Sequence, residues 1–159
     1  MAGPRSSEVL RHSVIDRLAG GGGRRGADIR IGVRELKAAV RRDVEWLLNS
    51  RRPLVEGLDD LPEARASILS YGIPDLTQYG HGLADRQRIC AAIEEALRTF
   101  EPRLQPRSIK VESLPDGEET GPRLRFTIHG TLHVDPVREQ IAFDTSVEMA
   151  SGAVEIAPD

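Results

Sequence analysis

The chain is poor in cysteine and in long apolar runs. Its 159 residues contain a single cysteine, Cys90, so no disulfide can form within the chain, which is typical of a reducing cytoplasm. No apolar run approaches the length of a membrane span, and residues 1–26 contain no apolar core of the signal-peptide kind. We therefore expect a cytoplasmic protein without direct membrane insertion, in which Cys90 is a buried or half-buried structural thiol.

The chain also has little net charge and almost no lysine. It carries 22 basic and 25 acidic residues, for a net charge of −3, and 20 of the basic residues are arginine. The arginines alternate with acids, as in Arg41-Arg42-Asp43, which is typical of solvated faces and ion pairs. Because nucleic-acid binding needs a continuous basic surface, we expect no nucleic-acid partner.

Motifs for cofactors, metals and nucleophiles are lacking. There is no Gly-Lys-Ser phosphate loop, and the run Gly20–Gly23 lacks the strand and helix that flank a nucleotide site. His129 and His133 fall on one face of a predicted strand, but four residues at about 3.3 Å each separate their Cα atoms by roughly 13 Å. One ion cannot bridge that distance, so we expect solvent-facing histidines, no cofactor and no small-molecule substrate.

What the chain does contain is a change of hydrophobic period at Pro106. Helical spacing predicts one helix over about 34–50 and a second over about 85–100. After Pro106 apolar and polar residues alternate, which predicts strands near 109–111, 124–134, 141–149 and 154–156. Helices followed by strands indicate an α+β domain, with the helices packed on one face of a small antiparallel sheet. We place this domain at 33–159, after a flexible tail over 1–32.

Two residues of the first predicted helix depart from its apolar stripe. Asp43 falls close to the stripe, where a carboxylate needs a charged or hydrogen-bonded partner, so we expect a nearby arginine. Trp46 lies well off the stripe. It either packs under another part of the domain, which is the more frequent arrangement, or faces a partner.

The segment Phe100-Glu101-Pro102-Arg103-Leu104 follows the second helix. Pro102 disfavours helical geometry for the residue before it, so the helix should end at or just before Glu101. Glu101 then lies at the negative end of the helix dipole and needs a cationic or hydrogen-bonding partner. Residues two apart in an extended segment share a side, so Glu101 and Arg103 should face the same way. A stiff turn that presents one acid and one guanidinium suits a protein interface better than a reaction centre.

This segment resembles the Glu-Pro-Arg signature of the TssE family, the baseplate wedge proteins of type VI secretion systems, which share their fold with a small wedge protein of contractile phage tails. Four further segments resemble blocks of that family in the expected order: Ser13–Leu18, Val40–Arg52, Ser70–Leu76 and Phe143–Thr145. The resemblance extends over about 13–156, which is nearly the whole chain. Each segment alone is a weak signal, whereas five in order are a strong one.

The resemblance implies a structural protein in a bacterial cytoplasmic baseplate that is docked to the inner-membrane complex. Its implied partners are wedge proteins of the TssF, TssG and TssK types and contractile sheath subunits of the TssB and TssC types. It implies that Glu101, Pro102 and Arg103 contact the core bundle of the wedge, and that an unpaired edge strand receives a strand from the sheath at the start of sheath assembly. In the tail, the apolar side chains Val14, Ile15 and Leu18 are the expected docking residues.

Two alternatives remain at this stage. One is a wedge protein of another phage-tail-like contractile particle. The other is a lysozyme-like muramidase, which needs two carboxylates flanking a cleft. Glu94 and Glu95 are expected to be solvated, and Glu101 is tied to the Pro-Arg turn rather than held in an apolar pocket. We therefore expect no enzymatic activity.

Overall fold

The computed structural model describes residues 33–54, 57, 60–115, 123–133 and 138–157. The predicted tail, with Val14, Ile15 and Leu18, lies outside the described residues. The described helices are α1 (Val33–Asn49), α2 (Pro62–Arg65) and α3 (Leu83–Phe100). The described strands are β1 (Lys110–Ser113), β2 (Arg123–His133), β3 (Arg138–Glu148) and β4 (Val154–Ile156). None of the helices in these ranges has the length and apolar character needed to cross a membrane.

The α+β prediction is confirmed, and the elements lie close to their predicted bounds. α1 begins and ends one residue earlier than expected, and α3 begins two residues earlier and ends at Phe100 as expected. The four strands form one antiparallel sheet in the order β1-β2-β3-β4, so each strand pairs with its neighbour in sequence. In the long central pair, Ile128 lies opposite Phe143.

The inner face of the sheet packs against α1 and α3. Alternate residues of β2 and β3, such as Phe126 and Val147, are fully buried, whereas their sequence neighbours face outward. Apolar side chains of both helices complete one core, which burial of apolar surface stabilises. The largest fully buried side chains are Phe126, Leu48, Ile73, Ile89, Ile93, Leu97, Leu104, Leu124, Ile128, Leu132, Val40 and Val44.

A close crossing of two backbone segments positions the site described below. Ile73 N–H donates to Ser50 O (2.9 Å), and Arg52 N–H donates to Ile73 O (2.8 Å). Gly72 has φ of +112°, and a Cβ atom there would lie 2.3 Å from Ser50 O. Only glycine therefore fits this crossing, which holds the neighbouring Tyr71 beside the end of α3.

Candidate protein-interaction site

The end of α3 places a carboxylate in the protein interior. Glu101 N–H still donates to Leu97 O (3.0 Å), but Glu101 itself has left the helix, with φ −113° and ψ 83°. This confirms that the helix ends where Pro102 requires it to end. Glu101 is only 4% exposed, whereas Pro102 is exposed and Arg103 is half-buried. Such a carboxylate must be paired to be tolerated.

Arg103 supplies that partner. Its Nε donates to Glu101 Oε1 (2.7 Å), its backbone N–H donates to the same oxygen (3.0 Å), and its Nη2 contacts Glu101 Oε2. The two side chains therefore share one side of the turn, as the sequence predicts. Nη2 also donates to Asp43 Oδ2 (2.8 Å), which joins the turn to α1. The arginine expected near Asp43 is thus confirmed.

The charged groups of this cluster shift the pKa values of Arg103 and Tyr71. Burial alone would lower the pKa of the Arg103 guanidinium, but the hydrogen bonds and charges of Glu101 and Asp43 outweigh burial and raise that pKa above its ordinary value. Burial raises the pKa of Tyr71, and the Asp43 and Glu101 carboxylates raise it further, so the phenol stays neutral. The Tyr71 ring meets Phe100 edge to face, with centroids 5.3 Å apart.

One donor of the cluster lacks an acceptor. Arg103 Nη1 is buried and has no hydrogen-bond partner within the part of the chain that the structure describes. A guanidinium has five donors in a fixed fork, and here Glu101 and Asp43 take those of Nε and Nη2. A buried donor without an acceptor is unfavourable, so this arginine is held by its other bonds and not by Nη1.

The cluster continues along α1 to Trp46. Arg42 donates from Nε and Nη2 to Asp43 Oδ1 (3.2 and 3.0 Å), and its guanidinium lies over the Trp46 ring, 5.1 Å from the centroid. Trp46 keeps 46% of its surface exposed, so it is not buried under another element. The sequence did not predict this chain of contacts. The spacing of Arg42 and Trp46 could have indicated their contact, because residues four apart in a helix are neighbours.

The outer edge of β1 is covered by one row of α3. Val111 N–H donates to Glu94 Oε1 (3.0 Å), and Arg98 Nη2 donates to Ile109 O (3.2 Å), just before β1. Cys90, Glu94 and Arg98 are spaced by four residues and so lie in line on the helix. Cys90 is half-buried as expected, and burial raises the pKa of its thiol.

The outer edge of β4 is engaged by α1. Asn49 Nδ2 donates to Val154 O (2.8 Å), and Val154 N–H donates to Asn49 Oδ1 (3.0 Å). The side-chain amide therefore makes the two hydrogen bonds that a neighbouring strand would make. This clamp leaves no room for a strand beside Val154.

A longer stretch of β3 has no strand neighbour. Ala157 N–H donates to Asp144 O (2.8 Å) and Glu148 N–H donates to Ala153 O (2.9 Å), so even-numbered residues of β3 bond toward β4. The β3–β4 register runs only from Thr145 to Val147. The even-numbered residues before it are Arg138, Gln140 and Ala142, which have no strand neighbour on that side among the described residues.

The acids considered for a muramidase are tied to basic side chains. Glu95 pairs with Arg65 (2.6 Å) at the surface. Glu94 was expected to be solvated, but it is half-buried, because it bonds both Arg98 (2.6 Å) and the edge of β1. Within the described ranges, no group of three or more His, Cys, Asp and Glu side chains could hold a metal ion.

Comparison with known proteins points to one family. A family model described as baseplate wedge protein gp25 matches residues 34–137, which is more than half of the chain and runs from α1 to the end of β2. It includes the cluster of Asp43, Glu101 and Arg103. Searches of curated proteins and of solved structures each found no match. The chain therefore belongs to the baseplate wedge protein gp25 family, whose role in phage-tail-like baseplates is structural.

Proposed function

We propose that this chain is a TssE-type component of a type VI secretion baseplate, which joins the wedge proteins to the first ring of the contractile sheath. Membership of the gp25 family supports the structural baseplate role, and the five family-like segments of the sequence support the type VI assignment. The observation that carries the proposal is the ion cluster of Glu101, Arg103 and Asp43, which fixes a stiff turn with Pro102 at the surface.

The turn is the proposed contact with the wedge, through proteins of the TssF, TssG and TssK types. The exposure of Pro102 supports this, because a partner can reach the turn there while Glu101 and Arg103 keep it rigid from beneath. The tail residues Val14, Ile15 and Leu18 supply a second proposed contact. We place the assembly in the bacterial cytoplasm, at a baseplate docked to the inner-membrane complex.

The stretch of β3 at Arg138, Gln140 and Ala142 is the proposed contact with the sheath. An extended segment of a TssB- or TssC-type subunit would pair with these backbone groups by strand addition. The covered edges of β1 and β4 support this choice, because an incoming strand pairs where backbone groups are free.

Affinity purification from the host tests the wedge contact. We expect wedge and sheath subunits to co-purify with the tagged wild-type chain, and wedge subunits to be lost with Arg103→Ala. Arg65→Ala is the matched control, since it removes an arginine from a surface ion pair with Glu95. Wild-type recovery of wedge subunits with folded Arg103→Ala would show that the turn is not the contact.

A pair of variants at one position tests the sheath contact. Gln140→Pro removes an outward N–H that β2 does not use, whereas Gln140→Ala keeps it. We expect the first variant alone to lose sheath subunits while it keeps wedge subunits. If both variants retain the sheath, the strand is added elsewhere.

Genomic context separates the remaining alternative. A phage-tail-like particle outside type VI secretion would need the same wedge contact. Genes for membrane-complex proteins beside this gene would support the type VI assignment. Their absence would favour the other particle.

A further inference from the structure

Trp46 is an exposed aromatic side chain in the last turn of α1, a well-packed helix. It is the only tryptophan of the chain. Among the described residues, the other large apolar side chains with high exposure lie in connecting segments or at the start of α3; they are Leu54, Leu61, Ile68, Leu69 and Leu83. Because burial of a tryptophan contributes more than that of any other side chain, its exposure on a rigid helix leaves apolar area that a partner can bury.

Trp46 is held in a defined position before any partner arrives. Arg42 covers part of the ring and bonds Asp43, whose other oxygen is bonded by Arg103. These contacts restrict a long arginine side chain that would otherwise lose rotamer freedom on binding. The surface formed by Trp46, Arg42 and the Glu101–Arg103 turn is therefore continuous and pre-organised.

The basic and acidic side chains of this surface differ in their exposure to solvent. The side chains of Arg42 and Arg103 are 38% and 21% exposed, whereas those of Asp43 and Glu101 are 17% and 4% exposed. The guanidinium groups thus lie nearer to the solvent than the carboxylates. This order favours a partner that brings acidic groups, since complementary charge steers association and fixes register.

We propose that Trp46 and Arg42 bind an acidic amphipathic helix of a wedge protein, as an extension of the turn's contact onto α1. The inference rests on the proposed baseplate function. Arg42 and Trp46 are one helical turn apart, so an acid and an apolar side chain one turn apart on the partner would meet both. Tryptophan and arginine are the side chains that most often dominate the binding energy of such contacts.

Fluorine NMR gives a direct test, because the chain has one tryptophan. The full chain is labelled with 5-fluorotryptophan and titrated with the unlabelled purified wedge complex of the same baseplate. We expect the single resonance of residue 46 to shift or broaden on binding. In a parallel titration we expect Trp46→Ala to weaken binding by about tenfold or more, and the matched control Leu83→Ala to bind as wild type does.

The outcomes separate this inference from the proposed function. If the wedge complex binds but the resonance does not move and Trp46→Ala binds normally, the surface is wrong and the baseplate role stands. If the wild-type chain does not bind the wedge complex, both the proposed baseplate function and this inference are wrong. A resonance that moves on dilution without wedge protein would assign the surface to a second copy of this chain. A resonance that moves on removal of residues 1–32 would assign the surface to the tail. Binding of a second copy or of the tail would each overturn the proposal.

Discussion

Arg103 Nη2 lies 2.8 Å from Asp43 Oδ2, and this contact joins α1 to the turn after α3 across 60 positions of the sequence. The same guanidinium neutralises Glu101, which is almost fully buried. One side chain therefore serves two carboxylates on two elements. The proposed wedge contact is built on a residue that the fold itself needs.

Arg103→Ala is expected to lower the free energy of unfolding by about 3–5 kcal/mol, because it leaves a buried carboxylate without its counter-charge. Urea denaturation at neutral pH measures this loss. Arg65→Ala, which opens a surface pair with Glu95, should cost about 0–1 kcal/mol. Equal costs for the two variants would mean that the cluster is no more stabilising than a surface pair.

Asn49→Ala is expected to open the edge of β4. The variant removes two hydrogen bonds to Val154, and each contributes about 0.5–1.5 kcal/mol. Native-state hydrogen exchange should show faster exchange of the Val154 amide, with the amides of the β2–β3 pair unchanged. Asn49→Asp is the informative comparison, since it keeps an acceptor for Val154 N–H and loses the donor. Unchanged exchange in Asn49→Ala would show that the clamp does not protect this edge.

Gly72→Ala is expected to cost about 3 kcal/mol or more, because positive φ and a collision with Ser50 O act together. Gly57→Ala is a matched control. Gly57 also has positive φ (76°), but a Cβ atom there would meet nothing within 4 Å. Thermal unfolding of both variants separates the collision from the backbone strain. Similar melting temperatures would show that the crossing relaxes easily.

The stability of the domain is expected to fall as the pH rises above the ordinary thiol pKa of 9.0. Burial raises the pKa of Cys90 in the folded chain, and the Glu94 carboxylate raises it further. The unfolded chain therefore loses this proton first, so the stabilising contribution is complete below pH 9.0 and is lost as the pH rises through the folded value. Urea denaturation from pH 8 to pH 10 should show a smaller fall in Cys90→Ala. If the free energy of unfolding falls equally with pH in the wild type and in Cys90→Ala, the thiol is not the cause.

The local parts of this structure could be predicted from the sequence. Hydrophobic period is a property of neighbouring residues, and it predicted α1, α3 and the strands to within a few residues. The need of Asp43 for an arginine and the shared side of Glu101 and Arg103 also followed from local geometry.

The parts that depend on distant pairing could not be predicted in this way. That the partner of Asp43 would be Arg103, or that Asn49 would bond Val154, depends on where helices meet strands. In the sequence, Cys90, Glu94 and Arg98 form an ordinary half-polar face of a helix. Only the packing of α3 beside β1 shows that Glu94 and Arg98 bond the strand edge. Local pattern likewise left open whether Trp46 is covered, because that depends on which elements reach its side of α1.

The part of β3 that precedes its pairing with β4 determines where a further strand can be added to the sheet. A segment paired with Arg138, Gln140 and Ala142 would continue the line of β4, so the sheet would remain four strands wide. Pairing there fills a gap, while helix side chains occupy backbone groups on both outer rows. If the proposed segment pairs there, the sheet can grow further only beyond that segment, because α3 side chains occupy the backbone groups on the β1 side.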